Sequence, residues 1–404
     1  MLELDVSLPF YPEFDADFFA ALPARPGVIL LEMKAPNGEP YLVRTADIRR
    51  AAERLLSPAD PESKRLNLRV VVGNIRYRVA GSKFEQSILH YQIAREYFPQ
   101  RYRTLARIRP PAMLKVNLRN AYPRCYVTRQ IRADDGFYFG PFATRRLADD
   151  FSEGFLDLFK TRRCKIKIRR DPAFPGCMYS EMKMCLAPCF AGCTKEEYDV
   201  EVSRVLEALA SQGDAVTGRL ARERDAASAS LDFEQAAAIH KRIEKVSQAL
   251  RGLPDIARRV EELDAVILQR GAEPQSVVVF PVRAGMLAAP LWLRFAEISN
   301  EPRSVEAILR EAFEPLDVQN AKESAASIPL ADSPEAQREQ YGLRSAAPAL
   351  TEHLCLISRW FYSKPRDGEI LFRTADWPYR RILRACSRIL NPQEKNPTPP
   401  PPQQ

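Results

Sequence analysis

No apolar run in this chain is long enough to cross a bilayer. The longest, such as Val277 to Val282, fall far short of the roughly 20 residues a spanning helix needs. An export signal is missing too: the amino terminus, MLELDVSLPFYPEFDADFF, is acidic and aromatic. No internal repeat is visible beyond one pair of helices. These absences point to a soluble cytoplasmic protein with no membrane partner, in a compartment that keeps thiols reduced. At 404 residues and 46% hydrophobic, the chain fills roughly two to four small domains rather than one core. A net charge of +8 permits a polyanionic partner without establishing one.

What is present is a cluster of cysteines. Cys164, Cys177, Cys185 and Cys189 are spaced C-x12-C-x7-C-x3-C, with Cys193 one step further as a spare or alternate ligand. Cys125, Cys355 and Cys386 are scattered, so composition did not create the cluster. Thiolates so placed can converge on one centre, zinc or iron–sulfur. Disulfides are the alternative, disfavoured by a reducing compartment. Running into Cys164, Lys160 to Arg170 holds seven Lys or Arg among eleven residues and no acid. Lys165, Lys167 and Arg169 alternate with Ile166 and Ile168, which predicts a strand with one basic face. With Arg162, Arg163 and Arg170 they are candidates for phosphate contact.

The pattern predicts an α+β, multi-domain chain. Residues 1–21 read as an extension and 22–108 as a small α/β domain: strands at 28–33 and 40–44, a helix at 46–56, and a second helix that Ser82 caps and Pro99 ends. Residues 109–145 read as a β hairpin turning at Asp134-Asp135-Gly136, and 146–194 as the basic cysteine-rich region. A helical hairpin breaking at Ser228 to Asp232 covers 195–254, and an α/β strand region covers 255–317, with a tight turn at Arg283-Ala284-Gly285 and a helix at 304–313. A linker at 318–347, a small packed subdomain at 348–390 and a disordered Pro-rich tail at 391–404 complete the reading.

Leu231 to Ile243 reads LDFEQAAAIHKRI, with Phe233, Ala236, Ala237, His240 and Ile243 at steps of three or four. A generic hairpin core gives that spacing, but the order of residues resembles the UVR motif, the helical hairpin shared by the UvrB and UvrC subunits of the bacterial UvrABC excinuclease. Gly140-Pro141-Phe142 after Phe137-Tyr138-Phe139, the cysteine spacing, and the strands from Asp264 and Val278 are similar to UvrC in the same order, over roughly residues 22 to 300. The resemblance implies a [4Fe–4S] cluster, rather than zinc, on Cys164, Cys177, Cys185 and Cys189. It also implies DNA as a partner, and a UvrB-like helicase subunit docking on Phe233, Glu234, Ala236, Ala237 and His240. The family's Arg-Asp after the alanines stands here as His240-Lys241.

The resemblance makes the amino-terminal block a GIY-YIG nuclease-like domain, and there the chain departs from the family. Ile29 replaces the first motif tyrosine, and Tyr41-Leu42-Val43-Arg44 stands for Tyr-Val-Gly-Lys. Ala51 aligns with the nuclease arginine, His90 with the metal-binding glutamate, and Arg103 with the closing asparagine. Such a nuclease needs a carboxylate for a hard divalent cation, a tyrosine and an arginine. Glu85 cannot substitute, lying about 500° of helix rotation from His90. The expectation is a degenerate domain with no catalytic residue and no divalent nuclease metal. The family's RNase H-like domain and Gly-rich helix–hairpin–helix pair are also unmatched, since only Gly342, Gly368 and His353 of those residue types follow Asn300. The rivals are a divergent GIY-YIG-type endonuclease and an iron–sulfur or zinc scaffold that does not act on DNA.

Overall fold

Val6–Pro9 (β1), Gly27–Met33 (β2), Tyr41–Thr45 (β3) and Val72–Val79 (β4) form an antiparallel sheet in the order β1-β4-β2-β3. This is a computed structural model, and it describes residues 3–14, 16–58, 66–132, 134, 136–298, 303–313 and 343–391. Strand parity sorts β2 onto two cores. Val28 and Leu30 pack with Phe84, Ile88 and Leu89 of helix Lys83–Tyr97, whereas Ile29 and Leu31 pack with Ile48, Ala51 and Leu55 of helix Ile48–Leu56. Burial on both faces is why β2 reads as a continuous apolar run. Both helices start at side-chain caps: Arg50 N donates to Asp47 Oδ1 at 3.0 Å and Glu85 N to Ser82 Oγ at 3.0 Å, each worth about 1 kcal/mol. Residues 1–21 are not an appendage. β1 pairs with β4 and covers its edge, and Phe10, Phe14, Phe18 and Phe19 form a ring cluster that buries Phe10 and Phe19.

The second sheet contains Ala112–Asn117 (β5), Cys125–Thr128 (β6), Gly136–Phe142 (β7) and Arg258–Arg259 (β8) in the order β6-β5-β7-β8. The expected hairpin of the segments now β6 and β7 is therefore replaced: both pair with β5, not with each other. The reason lies at Lys115, which is buried opposite Tyr138 and forms an ion pair with Asp134 beneath that ring. A buried ammonium without its carboxylate is strongly unfavourable, and in the β5–β7 pairing Asp134, just before β7, supplies it. Residues 133 and 135 of the expected turn lie outside the described residues. Helices Arg145–Leu156 and Lys195–Ala210 pack against this sheet, and helices Asp214–Ala229 and Phe233–Leu250 pack on each other and on those two. Leu114, Phe139, Phe155, Tyr198, Leu220 and Val246 belong to one core, so the stretches 109–145, 146–194 and 195–254 are not independent.

The third sheet gathers Ala265–Arg270 (β9), Ser276–Arg283 (β10), Met286–Leu287 (β11), Leu291–Arg294 (β12) and Glu369–Phe372 (β13). Its order is β11-β10-β9-β13, with β12 also on β10. Ala284 (φ 46°) and Gly285 (φ 77°) make the expected tight turn. The stretch 348–390 is not a separate subdomain: β13 pairs with β9, and helix Tyr379–Leu390 adds Ile382, Ala385 and Cys386 to the core beneath Val266 and Leu268. Helix Leu343–Phe361 takes in the last five residues of the expected linker; the remainder, 318–342, and the tail from 392 lie outside the described residues. That helix joins the first and third sheets, with Leu350, Leu354 and Trp360 in one core with Leu30, Phe84 and Phe280. At its centre, buried Glu352 accepts from the hydroxyls of Tyr91 (2.6 Å) and Tyr102 (2.7 Å) and from Arg103 Nε (2.8 Å). No helix among the described residues is long and apolar enough to cross a membrane.

Candidate functional site

The cysteine-rich arm has little regular structure. Cys177 precedes the single turn Met178–Glu181, and Cys189 sits in the 3-10 turn Pro188–Phe190. Lys183, Ala187 and Ala191 all adopt left-handed φ, from 55 to 60°, which folds the C-x3-C loop back on itself. Ala187 N donates to Cys185 Sγ at 3.3 Å. Burial, then the neighbouring Cys164, Cys177 and Cys189 thiols, pushes the Cys185 thiol up to about 11. Burial, then Cys177 and Cys164, also raises Cys189. The four expected ligands thus lie in one another's field. Cys193 stands apart: it is buried in the second sheet's core, and Cys189 is the one thiol that acts on it, behind burial, Glu197 and Arg170. All eight cysteines are free. Among the described residues no three His, Cys, Asp or Glu side chains already form a metal-holding group. The donor set nevertheless suits a thiophilic centre in kind, with four sulfurs and a backbone N–H on one of them. A cation there would reverse the upward thiol shifts.

The basic segment before and after Cys164 forms no strand. Its alternation is real, but the apolar face packs only in part: Ile168 is half-buried against the second sheet's core and Ile166 is 42% exposed. Two of the six candidate cations turn inward. Arg162 is buried and donates to Ile166 O at 2.7 Å, while its backbone N–H donates to the Tyr198 hydroxyl at 3.0 Å. Arg163 pairs with Asp157 at 2.7 Å and lies over the Tyr179 ring. Both therefore hold the arm onto helix Lys195–Ala210 and the end of helix Arg145–Leu156. Lys165, Lys167, Arg169 and Arg170 are exposed, with Arg170 also donating to Cys193 O at 3.2 Å.

The expected hairpin over 195–254 is three helices rather than two, because Gly213 (φ 93°) breaks the first arm after Ala210; the second break falls where expected, between helices Asp214–Ala229 and Phe233–Leu250, with Asp232 capping Gln235 N at 3.0 Å. The five residues placed on one helix face divide in two. Ala236 and Ile243 pack inward beside Ile239 and Val246. Phe233, Ala237 and His240 face outward, with Phe233 65% exposed and His240 3.6 Å from Glu244. Glu234 is exposed beside them.

The nuclease-like positions are not brought to one place. Ile29 and Ala51 are buried, and Tyr41 packs against the same core. By parity Arg44 faces the other way, donating to Ser87 Oγ of helix Lys83–Tyr97 at 2.9 Å. His90, on that helix, is buried; burial, then the charges of Arg44 and Arg359, pushes its pKa down to about 4. Glu85 is also buried, accepting from Gly81 N at 2.7 Å, with its pKa raised by burial. The sheet therefore separates Ile29, Tyr41 and Ala51 from Arg44 and His90. Arg107, Arg359 and Lys364 join Arg44 along one cleft. Their separation along the chain leaves no local signal from which sequence reasoning could find them.

Residues 112–208 match the family described as UvrC/Cho excinuclease, middle domain, and this span holds the cysteine-rich arm. The chain is similar to UvrABC system protein C of Dehalococcoides mccartyi, 30% identical over 270 residues, which is 66% of this chain and 44% of that protein. It is similar to the protein of that name from Ruminiclostridium cellulolyticum, 26% identical over 285 residues (70% and 46%). The Leptospira biflexa protein is 23% identical over 247 residues (61% and 40%). The matched region spans less than half the length of these relatives. No solved structure matches.

Proposed function

Since this is a UvrC-like chain, with the UvrC/Cho excinuclease middle domain at residues 112–208, we propose that it serves nucleotide excision repair by binding DNA and a UvrB-like helicase subunit without cutting. The observation that carries this reading is the matched span itself, in which Cys164, Cys177, Cys185 and Cys189 share one arm with the exposed cations Lys165, Lys167, Arg169 and Arg170. Those cations would neutralise backbone phosphates, giving salt-sensitive binding with little sequence preference. Cys164, Cys177, Cys185 and Cys189 would hold an iron–sulfur cluster, with zinc as the alternative. Such a centre would cross-link an arm that has no strand or helix longer than one turn. Phe233, Ala237 and His240, with Glu234, present a large aromatic beside small residues, a shape suited to a second helical hairpin. Ile29, Ala51 and His90 support the absence of cutting: they offer neither the tyrosine, the arginine nor the carboxylate, and the sheet divides Ile29 and Ala51 from His90.

The test uses full-length protein purified anaerobically. Duplex DNA binding is measured by anisotropy across a salt series, and nicking of supercoiled plasmid is assayed with Mg²⁺ and with Mn²⁺. Salt-dependent binding without nicking is expected. Metal-dependent nicking abolished by Tyr41→Phe would favour the endonuclease reading; no DNA affinity at low salt would favour the scaffold.

A further inference from the structure

Arg44 has no task in the reading above, yet it lines a cleft of about 710 Å³ between the start of helix Lys83–Tyr97 and the end of helix Leu343–Phe361. Arg44, Lys83, Arg107, Arg359 and Lys364 border this cleft, against one carboxylate residue, Asp367. None of the five cations has an ion-pair partner among the described residues. Arg44 donates to the Ser87 hydroxyl, and Arg359 donates to the carbonyl oxygens of Ala106 (3.1 Å) and Arg107 (3.4 Å). Neutral acceptors of this kind orient a guanidinium but leave its charge uncancelled. Burial, then the positive fields of Arg359 and Arg107, lowers the Arg44 pKa, and burial, then Arg44 and Arg359, lowers that of neighbouring His90.

Like charges drawn from three distant stretches of chain oppose folding unless an anion joins them. Planar guanidinium forks match the oxygen spacing of a phosphoryl group, and the Ser82 hydroxyl lines the same wall. The positive end of the 15-residue helix Lys83–Tyr97 lies at the same wall. We propose that this cleft is a binding site for a phosphoryl group, held by Arg44, Arg107 and Arg359 with Lys83 and Lys364 at its rim. The group is carried either by a small phosphorylated ligand or by a nucleic-acid backbone. Because one wall belongs to the first sheet's helix and the other to helix Leu343–Phe361, the bound group ties the two parts together.

The experiment titrates full-length protein with inorganic pyrophosphate by calorimetry and thermal unfolding, at ionic strength held constant with chloride. Duplex DNA is titrated in parallel. Saturable pyrophosphate binding with a raised Tm is expected. Arg44→Gln and Arg359→Gln should each weaken it about tenfold or more, the loss of one charge-assisted hydrogen bond. Arg107→Ala, at an exposed position, keeps the test open if either of those variants folds poorly. The unliganded variants should melt no lower than wild type, because like-charge repulsion is relieved, and Lys241→Ala on a remote helix should change nothing. A loss confined to pyrophosphate assigns the site to a small ligand, and a loss of DNA affinity assigns it to a backbone phosphate. Pyrophosphate binding unaltered in all three variants, or absent together with unaltered DNA affinity, overturns the proposal.

Discussion

Strand Gly27–Met33 and the arm from Lys160 to Thr194 are held by opposite means. Val28 to Leu31 are all fully buried, each face of the strand against its own helix. In the arm, Ile166, Met178 and Met182 face water, and regular structure is limited to two short turns. What fixes its path is a few backbone bonds, such as Leu186 N to Lys160 O and Asp171 N to Cys189 O, both 2.9 Å, plus inward-turned Arg162 and Arg163. Burying apolar area stabilises the strand whatever else is bound. An arm with little area to bury takes its order from bonds, and the centre proposed on its four cysteines would add the strongest of them.

Leu30→Ala should therefore lower stability by about 3 kcal/mol in urea unfolding, since it opens a cavity in a closed core. Cys177→Ala should leave metal-free stability within about 0.5 kcal/mol, yet strip iron and sulfide from anaerobically isolated protein and expose residues 160–194 to protease. Iron retained by that variant would break the contrast; zinc in stoichiometric amount would keep the contrast and change the metal.

Acid should separate the regions next. The chain's three histidines are His90, His240 and His353, none of them in the arm. Burial first, then nearby positive charge in the case of His90, holds His90 and His353 at about 4, below an unfolded value of about 6.5. Neutral imidazole is thus the folded form, as the Leu287 N–H donated to His353 Nδ1 at 3.1 Å also requires. Their contribution is complete above pH 6.5 and is lost as the pH falls towards 4, because the unfolded chain takes up protons first. Urea unfolding at pH 7.5 and at pH 4.5 should show that loss, with His90→Gln reducing it. A profile as steep in His90→Gln as in wild type would remove His90 from the account.

A third test divides the basic segment itself. Replacing Lys165, Lys167 and Arg169 by Ala should reduce the salt slope of DNA binding by roughly three, with stability unchanged. Arg162→Ala should do the reverse, lowering stability while leaving the slope alone, because that side chain is bonded inward. An equal effect of both on the slope would place Arg162 at the DNA after all. Least visible in the protein alone is Phe233→Ala. With 65% of the ring exposed, stability should stay within about 0.5 kcal/mol. Affinity for a UvrB-like hairpin should nevertheless fall by roughly 2 kcal/mol by calorimetry.

What the sequence made legible was local. Ser82 and Asp47 mark helix starts through their own side chains, and the break at Ser228 to Asp232 ends on Asp232, which caps the helix beginning at Phe233. The C-x3-C loop needs no tertiary information to bring Cys185 near Cys189. The partner of β7 was not legible, because the turn at Asp134 points to β6 while the buried Lys115 selects β5. Nor was the fate of Lys165 to Arg169: alternation describes a strand, but no neighbouring strand is there to pair with it, and Tyr198 draws the preceding arginine's backbone inward. The division of Tyr41 from Arg44 is the instructive case. Three steps along a strand reverse the face, so their separation was written in the numbering once the strand was known.

The clasp of Glu352 on Tyr91, Tyr102 and Arg103 joins positions about 250 residues apart. During synthesis, helix Lys83–Tyr97 leaves the ribosome with Phe84 and Leu89 uncovered on the side that Leu354 and Trp360 later occupy. At ordinary translation rates, of roughly 5 to 20 residues per second, that surface waits tens of seconds for its cover. A helix made well before its cover is therefore completed only when Leu354 and Trp360 arrive.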